Sequence, residues 1–135
     1  MVTRAERDFV TERAESRCEY CRAPQRVTAA TFHIEHIIPT SRGGRDDQTN
    51  YALSCMTCNG HKADNITGID SETGEKVPLF HPRRDKWERH FRFVPKNFQI
   101  KGITPKGRAT VTRLLMDEKK QTDARELWIE LGIYP

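Results

Sequence analysis

Apolar positions along this chain change their period several times, and each change predicts an element. From Thr3 to about Ser16, Ala5, Phe9, Val10 and Ala14 form a modest helical stripe, and Thr3 with Glu6 has capping-box spacing. Thr28 to Ile38 is dense in β-branched and apolar residues and reads as a strand that Pro39 stops. Residues 40–49 have no period and contain Gly43-Gly44, a loop signature. Asn50 to Ser54 suits a short strand returning beside the first, and Thr57 to about Asn65 a short helix.

Beyond residue 67 the pattern predicts a hairpin about Asp70-Ser71-Glu72-Thr73-Gly74, flanked by Ile69 and Val77. Pro82 is placed to open a helix running to about His90. Strands at Phe91–Val94 and Phe98–Ile103 follow, then a helix opened by Thr104-Pro105 with Ala109, Val111, Leu114 and Leu115 on its apolar side. A last helix runs from about Thr122 to Leu131, with Ala124, Leu127, Trp128 and Leu131 on one stripe and Gly132 as its stop. Trp87 and Trp128 sit at helical positions among apolar residues and are expected in the core.

At 135 residues, 36% hydrophobic and 31% charged, the chain is expected to be soluble and globular. No apolar run approaches the roughly 20 residues of a membrane span, so no membrane partner is expected. The charged N-terminal residues lack the apolar core of a signal peptide, and an intracellular, cytoplasmic location is expected. The net charge of +4 is uneven: residues 1–60 carry eight basic and eight acidic side chains, whereas residues 81–113 carry ten basic side chains against Asp85 and Glu88. Such a block is either a solvated face or a phosphate-contacting surface.

The four cysteines stand as two Cys-x-x-Cys pairs, Cys18/Cys21 and Cys55/Cys58. Two knuckles of this kind bring four thiolates around zinc, and no cysteine is left over. Two disulfides or a redox pair are the alternatives; the first is disfavoured by an intracellular location, and the second lacks a thioredoxin-like βαβ context. Between the pairs lie Glu35-His36 at the end of an apolar strand, then Asn50, with Asn59 and Lys62 following the second pair. A histidine with an unperturbed pKa of about 6.5 can take a proton from water, and a nearby carboxylate can hold a cation. Adjacent strand residues point to opposite faces, so Glu35 and His36 serve one site only if the chain bends after them.

Glu35-His36-Ile37-Ile38-Pro39, Ser41-Arg42-Gly43-Gly44, Asn50 and Cys55-x-x-Cys58-Asn59-x-x-Lys62 together resemble the HNH endonucleases, the ββα-metal nucleases, and most closely their four-cysteine subgroup. The resemblance implies a small ββα-metal core with four-cysteine zinc knuckles at residues 18–66; the chain's own pattern adds an N-terminal helix at 1–17 and a basic α+β extension at 67–135 packed on the core, so the expected fold class is α+β. It implies His36 as general base, Glu35 and Asn59 as ligands of a catalytic divalent metal, and Asn50 as the residue that orients the loop. The implied activity is metal-dependent hydrolysis of DNA phosphodiesters, leaving 5′-phosphate and 3′-hydroxyl ends. Structural Zn2+ and catalytic Mg2+ or Mn2+ are the implied cofactors.

This chain departs from the family name at Asn59, where the second histidine would stand, making an H-N-N variant, and Ala63 occupies the place of a further ligand. His61 lies about 200° around a helix from Asn59 and faces away. Oxygen-only ligands suit Mg2+ or Mn2+. Arg42 and Lys62 are candidates for phosphate contact, with solvated surface positions as the alternative for each. His33 is either hydrogen bonded to a ligand or a buried structural histidine. Arg83, Arg84 and Arg89, with Arg92, Lys96, Lys101, Lys106 and Arg108, are expected to track a DNA backbone. A zinc-stapled nucleic-acid-binding module without catalysis is the alternative function.

Overall fold

The computed structural model describes residues 1–135 and is built from short elements around one apolar core. Helix α1 (Arg4–Arg13) opens with the predicted capping box: Thr3 Oγ1 accepts from the Glu6 amide, and the Glu6 carboxylate accepts from the Thr3 amide. Strands β1 (His33–His36) and β2 (Tyr51–Ser54) pair antiparallel, His36 opposite Tyr51 and Glu35 opposite Ala52. Helix α2 (Met56–Lys62) follows directly, giving a ββα unit.

The predicted strand from Thr28 to Ile38 forms only over His33–His36. β2 offers four paired positions before the chain turns at Cys55. Upstream, local side-chain bonds take over: Thr28 Oγ1 donates to the carbonyls of Gln25 and Ala30, and Gln25 Oε1 accepts the Phe32 amide. Polar side chains that bond their own backbone compete in this way with a sheet ladder.

The rest of the chain adds two more hairpins and three helices. Strands β3 (Thr67–Ile69) and β4 (Lys76–Pro78) flank the predicted turn. Helix α3 (Trp87–His90) is a single turn, shorter than the helix expected from Pro82, because the Asp85 carboxylate accepts the His81 amide and Lys86 is extended. Strands β5 (Phe91–Val94) and β6 (Gln99–Gly102) pair, and helix α4 (Pro105–Arg113) packs on β3 and β6 with Thr104 as its cap. A Cβ on Gly107 would lie 2.0 Å from the His90 carbonyl oxygen, so only glycine allows that approach.

Helix α5 (Lys119–Glu130) begins three residues before its predicted start and carries the fully buried Arg125. Its Nη1 donates to Asp117 at 2.8 Å and to the Phe98 carbonyl at 2.9 Å, and Nη2 donates to the Met116 carbonyl. The core joins these parts: Cys18, Tyr20, Tyr51 and Leu53 share one buried cluster with Leu79, Phe80, Phe91, Ile100 and Leu114. Trp87 and Trp128, expected in the core, instead pack half-buried against it. No helix is long and apolar enough to cross a membrane.

Candidate functional site

The four cysteine sulfurs are buried and all lie within 4.8 Å of one another. Cys21 Sγ and Cys55 Sγ are 3.7 Å apart. A tetrahedron with metal–sulfur bonds of about 2.3 Å has edges of about 3.8 Å, so the donor set fits zinc in both chemistry and size. Cys58 also donates its amide to Cys55 Sγ at 3.4 Å, as a knuckle requires. Hydrogen bonds from Cys18, Cys21 and Cys58 push the Cys55 thiol far below its ordinary range. The sulfur–sulfur contacts and burial push Cys21 and Cys58 up. Sulfurs this close are uncomfortable as thiols and suited to a shared cation.

Beside this cluster, the end of β1, the loop after it and the C-terminal turn of α2 form a cleft of about 270 Å³. Glu35, His36 and Asn59 all line it, together with Pro39, Thr40, Ser41 and Asp64. The chain leaves the ladder just after His36, which lets adjacent strand residues address one space.

Asn50 shapes the wall of this cleft. Its Oδ1 accepts the Ile38 amide at 2.9 Å, and its Nδ2 donates to the carbonyls of Ile38 and Arg45, both at 2.8 Å. One buried amide therefore ties the end of β1 to the loop. Gly44 is required by the same closure, since a Cβ there would lie 1.7 Å from the Ile38 oxygen. Gly43 turns the backbone at φ 85°, in the left-handed region.

His36 is held by residues that the sequence pattern did not single out. Asp46 Oδ1 lies 2.8 Å from His36 Nε2, and the Tyr51 hydroxyl donates to the same oxygen at 2.9 Å. The rings of His36 and Tyr51 meet edge to face at 5.2 Å. Hydrogen bonds from His36 and then Tyr51 hold the Asp46 carboxyl below the usual carboxylate range. Burial, then the bond to Asp46, pushes the Tyr51 hydroxyl up to about 12. Asp46 sits in a stretch with no periodicity, and nothing local marks it.

Glu35 is buried, with only 7% of its surface exposed. The Tyr20 hydroxyl donates to Oε1, and Lys62 Nζ lies 3.4 Å from Oε2. Burial pushes the Glu35 carboxyl up to about 7, against the opposing effects of the Lys62 charge and the Tyr20 hydrogen bond. A carboxylate offers about four acceptor sites; Tyr20 and Lys62 take two, so the Glu35 carboxylate is not saturated. Asn59 and Glu35 together supply only oxygen donors.

Several expected positions change their meaning. Lys62 is no phosphate contact at the surface: it is 1% exposed, and its Nζ donates to the Ile37 carbonyl at 2.8 Å. Arg83 braces Glu19 rather than facing solvent, and Arg108 grips the buried Asp70 through two bonds of 2.7 and 3.0 Å. Arg84 and Arg89 are exposed. Arg42 is exposed and donates from Nε to the Asp64 carbonyl at 3.0 Å, placing it at the cleft's edge. His33 is exposed rather than buried. His61 faces away from the cleft, with Nδ1 3.0 Å from the Leu114 carbonyl oxygen.

A family model described as HNH endonuclease matches residues 18–65, the stretch that holds both knuckles, β1, β2 and α2. No curated protein and no solved structure matches the chain. The mixed helices, small antiparallel sheets and four-cysteine cluster are consistent with an HNH ββα-metal core.

Proposed function

We propose that the protein is a metal-dependent endonuclease acting on DNA phosphodiesters, with residues 18–66 as the catalytic core and residues 67–135 as a basic extension. One observation carries this reading: Glu35, His36 and Asn59 line a single cleft beside the thiolate cluster. The match of the same residues to the HNH endonuclease model supports it.

Glu35 and Asn59 would hold the cation, and Mg2+ or Mn2+ suits their oxygen donors better than a softer metal. When bound, that cation supplies electrostatic stabilisation of the charge on the phosphate and the leaving oxygen. His36 performs the proton transfer. With Nε2 engaged by Asp46, Nδ1 is left as the atom that accepts the proton from an attacking water. Asp46 fixes the ring and stabilises the imidazolium that forms, and Asn50 keeps the loop closed around it. Arg42, anchored by its Nε at the cleft's edge, has its terminal nitrogens available to a phosphate oxygen. Attack in line opposite the 3′-oxygen leaves 5′-phosphate and 3′-hydroxyl ends.

The test is nicking of supercoiled plasmid in a metal series with His36→Ala alongside the wild type. Loss of cleavage in Mg2+ and Mn2+, with zinc content and DNA binding intact, is the expected result. Undiminished nicking by the variant overturns the assignment of the base. The engagement of both Glu35 oxygens by Tyr20 and Lys62 favours one other reading, a zinc-stapled nucleic-acid-binding module without catalysis. Wild-type protein that binds DNA and cuts it in no metal selects that reading.

A further inference from the structure

Glu35 is approached from both halves of the cysteine cluster. Tyr20 stands between Cys18 and Cys21, is fully buried, and donates its hydroxyl to Glu35 Oε1. Lys62 ends the helix that Cys55 caps and Cys58 occupies, and its Nζ faces Oε2. The first knuckle is itself tightly placed. Glu19 exchanges bonds with the Leu53 backbone at 2.8 and 2.9 Å, Trp87 Nε1 donates to the Tyr20 carbonyl at 2.7 Å, and the Tyr134 hydroxyl donates to the Cys21 carbonyl at 2.9 Å.

Packing alone does not account for this arrangement. A phenylalanine would fill nearly the same space as Tyr20, and a buried hydroxyl, carboxylate and ammonium stabilise a core less well than apolar groups of equal volume. The Tyr20 hydroxyl has one hydrogen-bond partner, and it is the carboxylate on the cleft wall.

We propose that Tyr20 is a positioning residue: it fixes the Glu35 carboxylate for a divalent cation in the cleft, and so makes cation binding depend on the order of the first cysteine knuckle. The inference rests on the reading of Glu35 as a cation ligand. It adds a direct physical link between the two metal sites, carried by one hydrogen bond across the ββα core. Partners that orient a metal ligand typically change metal affinity by about 10- to 100-fold when removed.

Binding of Mn2+ to the zinc-loaded full chain, followed by loss of the free-ion electron paramagnetic resonance signal, tests this without reference to cleavage. Tyr20→Phe is expected to weaken Mn2+ binding about tenfold or more while zinc stays at one per chain. Trp87→Phe, which removes a bond to the same knuckle but touches neither Glu35 nor the cleft, is expected to leave Mn2+ affinity unchanged. Equal affinity in wild type and Tyr20→Phe overturns the proposal and leaves the Glu35 assignment standing. An equal loss in both variants overturns it too, because general loosening of the knuckle then suffices. Wild-type protein that binds no Mn2+ removes the cation site, and the proposal with it. Should Tyr20→Phe lose zinc, 4-aminophenylalanine and 4-methylphenylalanine at position 20 make the same comparison at matched volume. Tighter Mn2+ binding by the donor-bearing side chain supports the link, and equal binding overturns it.

Discussion

Asp46 Oδ1 lies 2.8 Å from Nε2 of His36, across a loop that Asn50 and Gly44 hold shut. The pair resembles the carboxylate–imidazole couple by which many enzymes fix a base in one tautomer and stabilise it once protonated. Tyr51 adds a second donor to the same carboxylate oxygen, so Asp46 is held even though it is largely exposed. Asp46→Asn keeps the shape and removes the charge. It is expected to lower kcat for plasmid nicking by roughly 10- to 100-fold, with KM for DNA nearly unchanged. A KM effect with kcat intact places Asp46 in substrate binding instead.

Glu35 gives a pH dependence with a definite sign. Its carboxyl is raised from 4.5 to about 7, chiefly by burial. A cation must displace the proton, so Mn2+ affinity is expected to fall by up to about tenfold per unit as pH drops below about 7 and to level off above it. Without a cation the same shift acts on folding. A carboxyl whose folded pKa is raised binds more protons folded than unfolded, so stability declines as pH rises from about 4.5 to about 7. The contribution is on the order of 3 kcal/mol as an upper bound. Denaturant melts of wild type and Glu35→Gln across this range check it: the variant is expected to lose the downward slope.

Much of the fold around this site was legible in the residues, and the reasons are local. The capping box of α1, the hairpin turn after Ile69, the Thr104-Pro105 helix start and the two cysteine knuckles are all spacings of a few residues, and the structure contains each of them. The rotation that turns His61 away from Asn59 is likewise a property of one helix. What was not legible depends on pairing between distant elements. Asp46 meets His36 across a loop with no period, and Tyr20 looks like filler between cysteines until β1 brings Glu35 to it. Lys62 reads as a phosphate contact or a solvated lysine because burial of a cation is decided by its partners, here Glu35 and Ile37.

The thiolate cluster is expected to be a condition of the fold. The knuckles fix the chain on both sides of the cleft, and their cysteines belong to the main apolar cluster. Structural zinc in small domains contributes about 10–16 kcal/mol of apparent binding energy, comparable to the whole stability of a domain of this size. Elemental analysis should find one zinc per chain. Cys55→Ser is expected to abolish stoichiometric zinc and with it the cooperative thermal transition. A sharp, unshifted melt in that variant would show that the ββα unit holds together without the metal.

The basic segment from residue 81 to 113 divides into braces and free charges, and the division is measurable. Arg83 pairs with Glu19, and Arg108 with Asp70 and Glu72, so these two serve the fold. The Arg108 guanidinium holds the Asp70 carboxyl far below the usual carboxylate range. The stability from that pair is therefore present above about pH 4 and is lost as pH falls further. Arg84 and Arg89 are exposed, and neither forms an ion pair. If they meet phosphates, each should contribute about 0.9 to the slope of log affinity against log salt. Arg84→Ala and Arg89→Ala are expected to reduce that slope by about one apiece and leave the thermal midpoint where it was. Arg83→Ala and Arg108→Ala are expected to do the reverse, lowering the midpoint with little change in slope. Fluorescence anisotropy on a short duplex between about 50 and 200 mM salt, beside thermal melts of the four variants, separates the two groups. A slope that ignores Arg84 and Arg89 removes these two from the DNA-facing charge.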